Sequence, residues 1–215
     1  MACAVKICGL TSPEAIDAAI NAGADMIGFV FFPPSPRSLT IESAKTLTKL
    51  VPNTVKRVAL TVDADDMLLE EISSQLRPDI MQLHGQETLG RVAAVRELCG
   101  LPVMKAVAIS DADDLDLAHS YATVADQLMF DAKPPQNSDR PGGNALVFDW
   151  SLIANVDWSV PWILAGGLTS ANVAEAILAT QATAVDVSSG VENAKGVKDI
   201  RKIKDFIIKA KDPEF

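Results

Sequence analysis

The sequence predicts an α/β fold, a single (β/α)8 barrel formed as one domain by residues 1–215. Three observations carry that reading. Short apolar runs alternate eight times with longer stretches patterned as amphipathic helices. The runs are near-continuous in their apolar character, as parallel strands must be when helices cover one face and the barrel interior the other. A chain of 215 residues is long for a sandwich or a bundle, yet fits the short end of one barrel.

In chain order, strands are expected near Ala4–Cys8, Asp25–Phe32, Thr54–Val62, Asp79–Leu83, Val103–Ile109, Gln127–Asp131, Trp162–Ala165 and Ala184–Ser188. Helices are expected between and after them near Pro13–Ala22, Ile41–Leu50, Asp65–Leu76, Glu87–Leu98, Asp113–Tyr121, Trp150–Ala154, Ala171–Ala179 and Lys198–Lys209, with no hairpin interrupting the alternation. The rival architecture, an open doubly wound sheet, often carries a glycine-rich nucleotide turn after its first strand. Here that turn reads Cys8-Gly9-Leu10-Thr11, without the GxGxxG spacing. A weak internal repeat supports the barrel: Gly9-Leu10-Thr11-Ser12 and Gly167-Leu168-Thr169-Ser170 each follow an apolar run, with Ala18 and Ala176, then Ala24 and Ala182, at equal offsets. Glycine permits the tight turn, Ser12 and Ser170 are candidate helix caps, and Pro13 suits a first helical position. The one long irregular connection, from Ala132 through Pro134, Pro135 and Gly142-Gly143 to about Asp149, is a candidate lid on the face that carries barrel active sites.

A net charge of −9 offers no basic face for a nucleic-acid backbone, so nucleic acid is not an expected partner and any phosphate must be held locally by oriented amides. The three cysteines, Cys3, Cys8 and Cys99, form no close pair, which fits a reducing, cytoplasmic setting and neither a disulfide framework nor a zinc site. Neither an export signal nor a stretch long enough to span a membrane is expected.

Several residues fall where a barrel puts its chemistry. Along Val5-Lys6-Ile7-Cys8, Lys6 and Cys8 share a face; with Val5 and Ile7 toward the helices, Cys8 points inward, where the first helix N-terminus favours a thiolate. The alternative is a buried structural thiol. Asp131 ends strand six, placed to act as an acid if desolvation raises its pKa; the alternative is a helix-capping or ion-paired aspartate, with Lys133 as partner. Gln82 and His84 share a face, and His84, with no HxH or HExxH spacing for a metal, is read as a substrate-positioning residue. The stiff run Phe32-Pro33-Pro34-Ser35-Pro36 aims Arg37 at a carboxylate, unless Arg37 is a solvated loop residue. The glycine-rich strand ends Ala165-Gly166-Gly167 and Ser188-Ser189-Gly190 follow strands seven and eight, where this fold recurrently cradles phosphate.

Taken together, Lys6-Ile7-Cys8-Gly9-Leu10-Thr11, Gly28-Phe29-Val30-Phe31 with Ser35-Pro36-Arg37, Gln82-Leu83-His84-Gly85, Phe130-Asp131, Gly166-Gly167-Leu168 and Asp186-Val187-Ser188-Ser189-Gly190-Val191-Glu192 resemble the phosphoribosylanthranilate isomerases across essentially the whole chain. The resemblance implies a cofactor-free Amadori rearrangement in tryptophan biosynthesis, from N-(5-phospho-β-D-ribosyl)anthranilate to 1-(2-carboxyphenylamino)-1-deoxyribulose 5-phosphate. It implies Asp131 as general acid on the ribose ring oxygen and Cys8 as the base that removes the C2 proton, a thiol pKa near 8.5 needing only a modest decrease for that role. It further implies Arg37 on the anthranilate carboxylate, His84 and Asp186 as substrate contacts, and Gly166, Gly167, Ser188, Ser189 and Gly190 around the phosphate. No metal is implied, and the chain is expected to work as a monomer or homodimer. Two stretches depart from the family pattern: Gly142-Gly143-Asn144-Ala145 lacks a further glycine, and Leu60-Thr61-Val62-Asp63 stands where a phenylalanine and an asparagine are expected.

Three alternatives are open to the same fold. A histidine-pathway sugar isomerase uses a carboxylate where Cys8 stands, and a triosephosphate-isomerase type needs a late glutamate base, for which Glu192 is the only nearby candidate. A non-catalytic phosphometabolite-binding barrel would need neither Cys8 nor Asp131.

Overall fold

The computed structural model describes residues 3–133, 142, 147–154 and 156–213. Pro134, Pro135, Gly143, Asn144 and Ala145 of the candidate lid lie outside them. Eight parallel strands close into a barrel in the order β1 to β8, each hydrogen-bonded to its sequence neighbours and β1 closing on β8. They are β1 (Ala4–Cys8), β2 (Met26–Phe31), β3 (Lys56–Thr61), β4 (Ile80–Leu83), β5 (Val103–Ile109), β6 (Gln127–Ala132), β7 (Trp162–Leu164) and β8 (Ala184–Val187). Helices α1 (Pro13–Ala22), α2 (Ile41–Thr48), α3 (Asp66–Leu76), α4 (Leu89–Cys99), α5 (Asp113–Tyr121), α6 (Val173–Thr180) and α7 (Ile200–Lys211) lie between and after them. All eight expected strands are present. Among the described residues no helix is long and apolar enough to cross a membrane.

The two-residue period of each strand sorts side chains into two cores. Outward-facing Val5, Ile7, Phe29, Leu83 and Phe130 pack under the helices. Inward-facing Met26, Val58, Ile80, Met104, Met129 and Ile163 fill the lower barrel, and Cys8, Val30 and Leu60 form its upper layer. Helix α7 shows the matching helical spacing: Ile203, Phe206, Ile207 and Ala210 are fully buried on one stripe. Truncating Phe206 to alanine there costs about 3–5 kcal/mol.

The structure corrects three details. The expected helix over Trp150–Ala154 is only a 3-10 turn, Trp150–Leu152, capped by Asp149. The start of the last helix moves to Ile200, because Asp199 caps it and Val197–Lys198 (β10) instead pairs antiparallel with Glu192–Ala194 (β9), a small hairpin that interrupts the alternation. The repeat holds for its glycines, since Gly9 (φ 73°) and Gly167 (φ 61°) both take the left-handed backbone. It fails for its caps. Ser12 Oγ accepts from the Ala15 N–H, but no such bond forms at Ser170, where Asn172 braces the turn by accepting from the Thr169 N–H and donating to the Gly167 carbonyl.

The departure at Asp63 also has a local account. Its φ of 47° is left-handed, a conformation aspartate and asparagine tolerate, and its Oδ1 accepts from the Gln86 N–H to tie the β3 and β4 loops together. Below them Lys105 Nζ, buried on β5, donates to the Gly85 carbonyl and to Glu87 Oε2, whose carboxylate accepts from the Asp63 and Gly85 N–H groups. That network anchors the loop carrying His84.

Candidate active site

Strands β1, β2, β3, β4, β6 and β8 and the loops that follow them deliver side chains to one open cleft at the carboxyl-terminal end of the barrel. Cys8, Arg37, His84, Asp131, Asp186 and Ser188 all line it, among apolar Val30, Phe32, Leu60 and Val62.

Cys8 ends β1 facing inward, as its parity with Lys6 predicts. Lys6, completely buried one layer below, donates to Asp186 Oδ1 on β8 at 2.7 Å. On β2, Gly28 pairs with Cys8, and a Cβ at Gly28 would lie 2.9 Å from Cys8 Sγ and 3.2 Å from Lys6 Nζ. The absent side chain makes room for thiol and ammonium together. The expected lowering of the Cys8 pKa is overturned: burial pushes the thiol up, and the opposing Lys6 ammonium offsets only part of it, because desolvating a thiolate costs more than one ion pair returns here. Lys6 itself is held above the ordinary lysine value, since its burial is outweighed by Asp186 and Cys8.

Asp131, near the end of β6, accepts from the Ala132 N–H at Oδ1 (2.8 Å) and sits 3.2 Å from His84 Nε2 through Oδ2. Lys133 turns instead to Asp114 and Ser110, so it is not the partner of Asp131. The other ring nitrogen, His84 Nδ1, is 3.0 Å from Gln82 Nε2. Gly142 lies over this pair: a Cβ there would stand 2.6 Å from His84 Nε2 and 2.8 Å from Asp131 Oδ2.

Arg37 is not a solvated loop residue. It is buried, its Nε and Nη2 donating to the two carboxylate oxygens of Glu192 at 2.6 and 2.9 Å. Two of its five N–H donors are thereby used, and among the described residues the other three meet no protein acceptor. Glu192 also accepts from Lys198 Nζ at 2.9 Å and from the Gly196 N–H. Burial would raise the Glu192 carboxyl, but Arg37, Lys198 and that amide hold it down to about 2. Glu192 is therefore a fixed anion here and no proton acceptor near neutrality. Lys198 additionally donates to the Ser188 carbonyl and hydroxyl.

The two glycine-rich strand ends come together, Gly190 resting against the Leu168 carbonyl. Gly166 (φ 86°) and Gly167 both carry left-handed backbone, and among the described residues the N–H groups of Gly166, Gly167 and Leu168 donate to no protein acceptor. Ser188 Oγ donates to the Cys8 carbonyl, joining this corner to β1.

Of the site residues expected from sequence, Cys8, Arg37, His84, Asp131, Asp186 and Ser188 line the cleft, while Gly166, Gly167, Ser189 and Gly190 are not among its lining; four residues that brace the cleft were not assigned a role, Lys6, Gln82, Glu192 and Lys198. For Lys6 and Gln82 a signal existed, since strand parity puts each on the interior face of an apolar run, where a polar group must find a partner. For Glu192 none did, its partner Arg37 lying 155 residues away.

The chain matches the N-(5'phosphoribosyl)anthranilate (PRA) isomerase family over residues 5–209. It is 55% identical over 203 residues to the N-(5'-phosphoribosyl)anthranilate isomerase of Paramagnetospirillum magneticum (strain ATCC 700264 / AMB-1), with 94% of each chain covered. A phosphoribosyl anthranilate isomerase crystallised with reduced 1-(o-carboxyphenylamino)-1-deoxyribulose 5-phosphate superposes with a TM-score of 0.85 at 35% identity, covering 97% of this chain and 98% of that one. Monomers generated from the dimeric enzyme of Thermotoga maritima superpose with a TM-score of 0.83 at 35% identity, covering 97% of both chains. With its closed barrel, its cleft at the strand ends and this likeness along nearly its whole length, the chain belongs to the N-(5'-phosphoribosyl)anthranilate isomerases of tryptophan biosynthesis.

Proposed function

We propose that Asp131 is the general acid and Cys8 the general base of the Amadori rearrangement. Asp131 protonates the ribose ring oxygen, opening the sugar to a protonated imine. Cys8 as thiolate then takes the C2 proton, whose electrons move into the adjacent iminium; the enolamine formed tautomerises to the ketone. The observation that carries this reading is that an acid and a thiol from separate strands line one cleft, each with a specific partner, His84 for Asp131 and Lys6, through its shared space at Gly28, for Cys8.

The remaining roles follow from chemistry at hand. The three free donors of Arg37 suit the anthranilate carboxylate. His84 and Asp186 contact the sugar. Gly166, Gly167, Ser188, Ser189 and Gly190 surround the phosphate, supported by the unsatisfied amides of Gly166 and Gly167. The catalytic unit is one barrel domain acting on a small phosphorylated substrate, as a monomer or homodimer. Cytoplasmic residence is supported by three free cysteines, two of them buried.

The test follows freshly generated phosphoribosylanthranilate by anthranilate fluorescence with wild type, Cys8→Ala and Asp131→Asn. Each variant is expected to lose about 10²–10⁴-fold in turnover with folding intact. A folded variant that keeps wild-type turnover removes that residue from the mechanism.

A further inference from the structure

Beneath the acid lies a polar side chain that the reaction scheme leaves unused. Gln82 on β4 is completely buried; its Nε2 is 3.0 Å from His84 Nδ1 and 3.3 Å from Met129 Sδ, while its Oε1 is buried without any hydrogen-bond partner among the described residues. A fully buried amide oxygen left unpaired is costly, and the sulfur on the other end is a weak acceptor. The amide is therefore poorly committed to one orientation, and a half-turn exchanging its oxygen and nitrogen preserves its shape.

The two orientations dictate different proton positions. With Nε2 toward the ring, Gln82 donates, Nδ1 must accept, and the one proton of the neutral imidazole sits on Nε2, pointing at Asp131 Oδ2. Asp131 then receives two donors, from His84 and from the Ala132 N–H, and is held as a carboxylate. With Oε1 toward the ring, Nδ1 carries the proton and donates to Gln82. For the neutral ring His84 Nε2 then becomes an acceptor, and the hydrogen bond to Asp131 needs the shared proton to sit on Asp131. The other ionisable groups on the cleft are Cys8 on β1, Arg37 after β2, held by Glu192, and Asp186 on β8, held by Lys6. Among the described residues none of them hydrogen-bonds His84 or Asp131.

We propose that Gln82 is a positioning residue whose amide orientation sets the tautomer of His84 and thereby whether Asp131 is held as carboxylate or as carboxylic acid. The inference rests on Asp131 being the general acid. Interconversion of the tautomers takes up a solvent proton at one ring nitrogen and releases one from the other, so it sets the populations between turnovers and is no step of the transfer to the ring oxygen; after that transfer a proton from solvent returns to Asp131.

The experiment combines 15N-histidine NMR across pH with the kcat–pH profile of wild type, Gln82→Met and Gln82→Glu. In wild type the His84 signals are expected to pass from the Nδ1–H to the Nε2–H tautomer as pH rises, with the same midpoint as the loss of kcat. In Gln82→Met, which neither donates nor accepts, that coupling is lost, the midpoint moves and kcat falls about tenfold, short of the loss expected when a general acid is removed. Gln82→Glu, whose ionised carboxylate can only accept, keeps a proton on Nδ1 wherever that carboxyl is ionised. A His84 tautomer that is the same in all three proteins at every pH overturns the proposal, as does a uniform drop in kcat with an unmoved profile. Full activity in Asp131→Asn would overturn the acid assignment instead, while the tautomer measurement still decides the link between Gln82 and His84.

Discussion

Arg37 and Glu192 meet edge to edge, Nε and Nη2 of the guanidinium each donating to one oxygen of the carboxylate at 2.6 and 2.9 Å. The pair joins the loop after β2 to the start of the β9–β10 hairpin, with Arg37 lining the cleft. A lysine has one nitrogen and cannot hold Glu192 while presenting a second fork. Arg37→Lys is therefore expected to raise KM about tenfold or more with kcat within a few-fold, the signature of lost uniform binding. A variant with unchanged KM removes Arg37 from carboxylate recognition.

Glu192 also makes the barrel acid-sensitive. Its folded pKa of about 2 lies below its ordinary value of 4.5, so unfolding takes up a proton as pH falls between the two. The stabilisation is complete above pH 4.5 and is lost progressively toward about pH 2; the full shift corresponds to about 3 kcal/mol. Urea denaturation at stepped pH should show this slope in wild type and a flatter one in Glu192→Gln. Equal slopes would mean that Glu192 is not held down in the folded state.

For Cys8 the sign is opposite. Burial favours the neutral thiol and Lys6 resists it, so removing the ammonium pushes the thiol further up. Lys6→Met is expected to slow alkylation of Cys8 several-fold at pH 8 and to move the rising limb of kcat to higher pH. Alkylation as fast as in wild type would show that Lys6 serves Asp186 alone.

Gly142 covers His84 and Asp131 closely enough that a methyl group would reach 2.6 Å from the ring nitrogen. Gly142→Ala must then displace one of the two side chains. Because it stores no core packing, its unfolding free energy should stay within about 0.5 kcal/mol of wild type, as surface changes do. Its turnover should fall about tenfold or more, since small misplacements of catalytic groups are costly. Unchanged turnover would put Gly142 outside the reacting geometry.

Lys105 tests the scaffold beneath that pair. Lys105→Met leaves Glu87 buried without its cation, a loss of about 3–5 kcal/mol measurable by urea denaturation. A loss under about 1 kcal/mol would show that the backbone donors of Asp63 and Gly85 suffice for Glu87.

The linear order of residues determined the barrel and the lining of its cleft. Near-continuous apolar runs need cover on both faces, which eight βα units supply with helices outside and a barrel interior within, and strand parity turns Cys8, His84 and Asp131 inward at one end. The departures from that reading come where partners are remote in sequence. The hairpin formed by β9 and β10 stands where a helix start was expected, because Asp199 caps the helix and Val197–Lys198 pairs back onto the strand that begins at Glu192, the partner of Arg37. The short turn at Trp150–Leu152 stands where a full helix was expected. The Cys8 pKa rises where position alone favoured a fall, since the depth of burial and the strength of the Lys6 ion pair are properties of closure and are fixed only when β1 meets β2 and β8. Which groups exist at the strand ends is written in the chain; their charge states are decided by tertiary structure, because desolvation and pairing act through space.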